Sequence, residues 1–111
     1  MITIEKLRDF GADVDEGLAR CLEREDFYIM LVRKTMEDKR ISLLEQQLKK
    51  GELTGAFDTA HELKGMYSNL ALTPLTKPVT EMTELLRSRT DTDYTDLVNE
   101  LKNKFERLCA L

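Results

Sequence analysis

The sequence lacks tryptophan altogether and contains only two prolines, five glycines and one histidine. With so few helix breakers, a composition rich in Leu, Glu, Lys and Arg predicts an all-α protein rather than a sheet. No stretch approaches the roughly 20 apolar residues that a membrane span needs, and the N-terminus has no apolar signal core. We therefore expect a cytoplasmic protein with no membrane partner.

An excess of basic residues is also absent. The 17 lysines and arginines are outnumbered by 21 aspartates and glutamates, which gives a formal net charge of −4. A protein that binds nucleic acid through its phosphates normally shows a basic stripe, so this composition argues against a nucleic-acid partner. The two cysteines, Cys21 and Cys109, lie far apart at apolar helical positions and form no metal-binding or redox pattern, so we expect both to be buried.

A chain of 111 residues is long enough for one core, and we expect a single domain over residues 1–111. Apolar residues at helical spacing predict two short N-terminal helices, the first capped by Thr3, that cover the core more than they join it. A third segment should bury Phe27, Met30 and Leu31, and a fourth helix should follow it. The spacing leaves open whether these two form one bent helix.

Three further helices are predicted. The first spans Thr54 to about Leu72, the second starts at Thr73 and Pro74 with Thr73 as its cap, and the last begins in the stretch TDTDY. Short connections force consecutive helices to lie antiparallel. We therefore predict an antiparallel up-down-up-down four-helix bundle from about residue 40 onward, with the short N-terminal helices packed across one end.

The single histidine, His61, falls on the helix that starts near Thr54. The apolar residues of this helix share the side centred near Leu63 and Leu70, and His61 lies on the opposite side. Its imidazole should therefore project into solvent. A lone histidine in a surface helix is more often only a polar residue, so a functional interpretation depends on its neighbours.

Four neighbours in the same stripe favour function. Lys64 has no carboxylate three or four residues away, so we expect its charge to be free to meet whatever approaches His61. Gly65 costs about 1 kcal/mol relative to alanine in a helix interior, which indicates either close helix packing or room for another surface. Its outer position favours the second explanation. Ser68, also small, extends the opening, and Phe57 supplies an apolar side chain for a docking patch.

These residues suit phosphoryl transfer better than hydrolysis. The ordinary pKa of a histidine side chain is about 6.5, so a neutral imidazole nucleophile is available near neutral pH. A nearby lysine can hold an arriving phosphoryl group. No hydrolytic triad, zinc ligand set or ATP-binding loop is visible. We therefore expect a protein that is not an enzyme, with no cofactor and no metal site.

The stretch AHELKGMYSNLA resembles the signature of the histidine-containing phosphotransfer (HPt) domain family. In that signature a histidine is followed by a hydrophobic residue, a lysine and a glycine, and then by small residues and a leucine. The matching positions are His61, Leu63, Lys64, Gly65, Ser68, Asn69 and Leu70. The resemblance implies a stand-alone HPt domain that extends over essentially the whole chain.

The resemblance also implies roles for individual residues. Nε2 of His61 would accept a phosphoryl group from a receiver-domain aspartate and pass it to the aspartate of another receiver. Lys64 would stabilise the phosphate, Gly65 would admit the receiver, and the surrounding surface, with Phe57 and Ser68, would form the docking patch. The implied partners are response-regulator receiver domains and a histidine kinase, and the Mg²⁺ of the transfer would be held by the receiver.

The sequence departs from the family pattern at a few positions. Met66, Tyr67 and Ala71 replace smaller residues, and by periodicity Met66 and Tyr67 should point toward the core. Thr83 takes the place of a glutamine that hydrogen-bonds the imidazole in several members, which predicts a weaker or water-mediated orienting contact.

A second hypothesis is an adaptor that binds receivers through the same helix face without being phosphorylated. The presence of His61, Lys64 and Gly65 together argues against it. A hydrolase that uses His61 as a base is a third hypothesis, and it lacks an acid and a nucleophile.

Overall fold

The computed structural model describes residues 1–111 and consists of helices joined by turns, with no strand. The predicted all-α class is confirmed. None of the helices combines the length and the apolar character needed to cross a bilayer. The seven helices are α1 (Ile4–Phe10), α2 (Val14–Arg20), α3 (Glu25–Met36), α4 (Arg40–Lys49), α5 (Leu53–Asn69), α6 (Thr73–Arg87) and α7 (Thr95–Cys109).

The two short helices α1 and α2 are present as predicted, but they contribute more to the core than expected. The hydroxyl of Thr3 accepts a hydrogen bond of 3.1 Å from the backbone N–H of Lys6, so the predicted cap of α1 is confirmed. The expectation that these helices only cover the core is wrong. Leu7 and Val14 are fully buried and belong to the main hydrophobic cluster.

α3 and α4 are separate helices, which answers the question that the spacing left open. Between them, the carboxylate of Asp38 accepts hydrogen bonds from the backbone N–H of Arg40 at 2.9 Å and from its guanidinium at 2.7 Å. These bonds lie at the first residue of α4, and they hold the pKa of Asp38 below its usual value.

The predicted inner face of α3 is wrong by one position. α3 buries Tyr28, Val32 and Thr35, whereas Met30 is 43% exposed. The sequence FYIMLV is apolar on every side of the helix, so periodicity alone cannot select the face that packs inward.

The helices α4 to α7 form the body of the protein. α5 packs against α4 and α6, and α7 packs against α6 and α4. Their inner faces are apolar, and the largest fully buried side chains that they contribute are Leu44, Leu63, Tyr67, Leu75, Met82, Leu86, Leu101 and Leu108.

The turn between α5 and α6 differs from the prediction. α5 ends earlier than expected because Ala71 adopts a left-handed conformation with φ +53°. The N–H of Leu72 then donates to the carbonyl of Tyr67 at 3.0 Å. Leu72 is the residue that precedes α6, so the predicted Thr73 cap is wrong, while Pro74 lies in the first turn as predicted.

The last helix begins where the sequence predicted, whereas only one of the two cysteines is buried as predicted. The carboxylate of Asp93, inside the TDTDY stretch, accepts a hydrogen bond of 2.9 Å from the N–H of Thr95, where α7 begins. Both cysteines are free thiols. Cys21 is buried as predicted, but Cys109 is exposed on the last turn of α7, so the expectation that it is buried is wrong.

The N-terminal segment contacts the α5–α6 turn through two hydrogen bonds. The Tyr28 hydroxyl donates to the carbonyl of Leu70 at 2.8 Å, and the N–H of Asp13 donates to the carbonyl of Ala71 at 2.9 Å. Burial raises the pKa of Tyr28 to about 12, so the hydroxyl keeps its proton near neutral pH. Gly17 allows this approach, because a Cβ there would lie 2.6 Å from the Tyr28 ring and 2.9 Å from the Leu70 carbonyl oxygen.

Candidate functional site

α5 carries all five residues that the sequence singled out. Its inner face is held in the core by Ala56, Thr59, Ala60, Leu63 and Tyr67. The opposite side bears Phe57, His61, Lys64, Gly65 and Ser68 at helical spacing. Because the inner face is packed from Ala56 to Tyr67, the other side has a defined orientation toward solvent.

The imidazole of His61 is exposed, as the periodicity predicted. It stacks on the ring of Phe57, with 5.6 Å between the ring centroids and 21° between the ring planes. A stacked ring restricts rotation of the imidazole about its side-chain bonds while it leaves the outer edge open.

Phe57 is less exposed than the sequence predicted. Its side chain is half-buried and packs against the main hydrophobic cluster. The guanidinium of Arg87, from α6, lies 5.1 Å from the centroid of its ring. The Phe57 ring therefore contacts both the Arg87 guanidinium and the His61 imidazole, and it covers one face of the imidazole.

Lys64 does not have a free charge. Its ammonium Nζ lies 3.8 Å from Oε1 of Glu84 on α6, so the prediction of an unpaired lysine is wrong. Within α5 no carboxylate lies three or four residues from Lys64, as the sequence shows, but the partner comes from the neighbouring helix. The Lys64 side chain is 31% exposed, and its head group stays on the same surface as His61.

Gly65 and Ser68 lie on the side of His61 that faces the end of α5. Gly65 is exposed, and a Cβ built there would meet no atom within 4 Å, which rules out close helix packing as its explanation. Ser68 is half-buried and borders a groove of about 550 Å³ between α2 and α6. The surface beyond the imidazole is therefore open.

Thr83 does not orient His61. Its side chain is fully buried, and its hydroxyl donates to the carbonyl of Val79 at 2.6 Å within α6. The predicted weak or water-mediated contact with the imidazole is wrong. Tyr67 is buried and Met66 half-buried, as predicted.

The sequence analysis missed Glu84 and Arg87. Both are on α6, and Nε of Arg87 lies 3.4 Å from Oε2 of Glu84. Their spacing shows that they share a helix face. It does not show that this face lies beside His61, because that depends on how α6 is aligned along α5.

The chemistry available at this surface is limited. No group of three or more histidine, cysteine, aspartate or glutamate side chains is placed to hold a metal ion. The surface offers one exposed imidazole and two cations, those of Lys64 and Arg87, that share one carboxylate. Such a set can accept an electrophile on nitrogen and stabilise negative charge next to it.

A comparison with protein families identifies the class to which this fold and this surface belong. The family model of the Hpt domain matches residues 30–111, which is most of the chain and includes the whole of α4 to α7. The chain belongs to the Hpt domain family. No curated protein and no solved structure gives a significant match.

Family membership sets the general function. Hpt domains take part in two-component phosphorelays, with receiver domains and kinases as the general class of partner. They are phosphotransfer modules without kinase catalytic machinery of their own.

Proposed function

We propose that the chain is a phosphorelay intermediate, in which His61 accepts a phosphoryl group from the aspartate of one receiver domain and passes it to the aspartate of another. One observation carries the proposal. The chain belongs to the Hpt family, and its single imidazole, that of His61, is exposed on α5. The Lys64 side chain lies one turn away, and Gly65 leaves open space beside it.

The transfer needs no acid or base from this chain. The lone pair on Nε2 of His61 attacks the phosphorus of the aspartyl phosphate, so that an N–P bond forms while the P–O bond to the aspartate breaks. The aspartate leaves as a carboxylate with the bonding electron pair, and Nδ1 keeps its proton. The reverse of this step, on a second receiver, returns the phosphoryl group to an aspartate.

Each neighbour of His61 has a part in this step. Stacking on Phe57 limits the orientations of the imidazole, which lowers the entropy lost on reaching the transition state. Lys64 supplies positive charge to the transferring phosphoryl group. Gly65 leaves room for the receiver, and Ser68 borders the surface on which the receiver docks.

We also propose that α4 to α7 run up-down-up-down and that residues 1–111 act as one domain. Contacts between α5 and α6 support the first point, because Lys64 pairs with Glu84 and Thr54 pairs with Arg89, as expected for antiparallel helices. A single core cluster with members from all seven helices supports the second. A cytoplasmic location stays a prediction from the sequence.

The proposal is tested by phosphoryl transfer in solution. Receiver domains encoded in the same genome are charged on aspartate with acetyl phosphate and Mg²⁺, then mixed with the chain and with a His61→Gln variant. We expect acid-labile, alkali-stable label on the wild type, located at His61 by mass spectrometry, and none on the variant. A second, uncharged receiver should then remove the label.

Two outcomes contradict the proposal. Either no receiver labels the wild type, or the His61→Gln variant is labelled as strongly. Receivers that bind the wild type without labelling it would support the adaptor hypothesis instead.

A further inference from the structure

A carboxylate lies between the two cations of the His61 surface. Oε1 of Glu84 is 3.8 Å from Nζ of Lys64, and Oε2 is 3.4 Å from Nε of Arg87. Glu84 thus uses one oxygen for a residue of α5 and the other for a residue of its own helix α6. In the unphosphorylated protein it offsets much of the positive charge near the imidazole.

Glu84 is also connected to the imidazole through Arg87. The Arg87 guanidinium lies over the Phe57 ring at 5.1 Å, and the Phe57 ring stacks on His61 with 5.6 Å between centroids. Lys64 lies one helical turn from His61 on α5. Both cations that Glu84 contacts therefore belong to the surface around His61, Lys64 as a neighbour on the same helix and Arg87 through the Phe57 ring.

The contacts of Glu84 are of a kind that can be exchanged. The Glu84 and Arg87 side chains are both about half exposed, and ion pairs at such positions contribute little net stability. A phosphoryl group brings about two negative charges and three acceptor oxygens, against the single charge of a carboxylate. In competition for Lys64 and Arg87, the phosphoryl group should win.

We propose that Glu84 is a counter-ion that competes with the phosphoryl group for the two cations of the His61 surface. It pairs with Lys64 and Arg87 in the unphosphorylated protein, which slows transfer, and gives them up when the phosphoryl group arrives. This inference rests on the proposed role of His61 as phosphoacceptor. No bond to Glu84 forms or breaks, since only its ion pairs are exchanged.

The inference predicts the effect of removing the Glu84 charge. In a Glu84→Gln variant, Lys64 and Arg87 meet an incoming phosphoryl donor without a competing carboxylate. We expect His61 to be phosphorylated roughly three- to tenfold faster at low salt, because the variant removes one negative charge that repels the phosphoryl group and competes with it for the cations.

The probe is phosphoramidate, a small P–N phosphoryl donor that can phosphorylate an imidazole without a receiver. The rate of phosphohistidine formation is followed by ³¹P NMR for the wild type and for Glu84→Gln, at low and at high ionic strength. Glu84→Asp keeps the charge at this position, and Glu100→Gln on α7 removes the same charge elsewhere. Both of these variants should react at about the wild-type rate.

The salt dependence separates an electrostatic role from a structural one. We expect the gain of Glu84→Gln to shrink toward the wild-type rate at high ionic strength, because salt screens charges at the surface. An unchanged or lower rate at low salt, or a gain that persists at high salt, would overturn the inference.

Failure of the proposed function gives a different pattern. If phosphoramidate labels His61 but no receiver exchanges the label, the relay proposal fails while the rates still decide the role of Glu84. If phosphoramidate does not label the wild type, the role of Glu84 is overturned, whereas the receiver experiment still decides the relay.

Discussion

At the scale of single residues, the ion pair with Glu84 determines when the charge of Lys64 is available to a phosphoryl group. A lysine with a free ammonium would attract phosphate without competition from a carboxylate. Lys64 is instead paired with Glu84 at 3.8 Å, a distance at which the pair is easily broken. Its stem lies along the surface and its head stays one turn from His61, so it can turn toward a phosphoryl group without a movement of the backbone.

Replacing Lys64 with alanine should slow phosphoryl transfer and leave the fold intact. A hydrogen bond to a charged group is worth about 1.5–3 kcal/mol, so we expect transfer from a charged receiver to fall by at least about tenfold. The measurement is the initial rate of label on His61, with thermal unfolding as the check on the fold. Lys64→Arg keeps the positive charge and should retain most of the rate.

An unfolded Lys64→Ala variant would make Lys64 a structural residue. A folded variant with the wild-type rate would remove Lys64 from the transfer step.

At the scale of helices, α5 combines two requirements on opposite sides. Its inner side is packed with alanines, leucine and tyrosine, which keeps the helix fixed between α4 and α6. Its outer side contains Gly65, which weakens the helix and has no packing contact to justify it. Gly65 therefore destabilises the helix without allowing any closer packing inside this protein. We infer that the space it leaves is used by the surface of a partner.

Substitutions at Gly65 should separate stability from docking. Gly65→Ala should raise the free energy of unfolding by about 1 kcal/mol, because alanine favours the helix and its Cβ meets nothing. Gly65→Gln should also be at least as stable as the wild type. Its longer side chain should slow transfer from a receiver by roughly 5- to 100-fold, the cost of overfilling a close contact.

The measurements are urea denaturation and the rate of label from a receiver. Phosphoramidate serves as the control, because a small donor should label Gly65→Gln as fast as the wild type. Undiminished transfer from the receiver to Gly65→Gln would contradict the role given to Gly65.

At the scale of the whole molecule, residues outside the Hpt match are part of the same core. The match begins at residue 30, yet Leu7, Val14 and Tyr28 are fully buried. The Tyr28 hydroxyl donates to the carbonyl group of Leu70, immediately after the helix that carries His61, and Gly17 leaves the space that this contact needs. The N-terminal helices therefore support the end of α5.

Gly17→Ala should destabilise the protein, in contrast to Gly65→Ala. The added Cβ would be 2.6 Å from the Tyr28 ring and 2.9 Å from a backbone oxygen, so neighbouring atoms must shift. Overpacking of this kind costs about 1–3 kcal/mol, and we expect urea denaturation to show a loss of that size. Unchanged stability would mean that α2 can move away from α5 at little cost.

The sequence by itself determined the features that depend on local periodicity. Helix spacing along α5 was enough to predict its buried residues and the exposed position of His61, because both follow from one turn every 3.6 residues. The signature around His61 was enough to indicate the Hpt family, which the match over residues 30–111 confirms.

Only the tertiary structure decided the features that depend on how helices are aligned. Glu84 pairs with Lys64, Gly17 leaves room for the Tyr28 ring and Gly65 faces open space because of the register between separate helices. The inner face of α3 and the burial of Thr83 have the same cause. A helical pattern specifies which residues share a side of one helix, whereas the partner that this side meets is set by packing of the whole core.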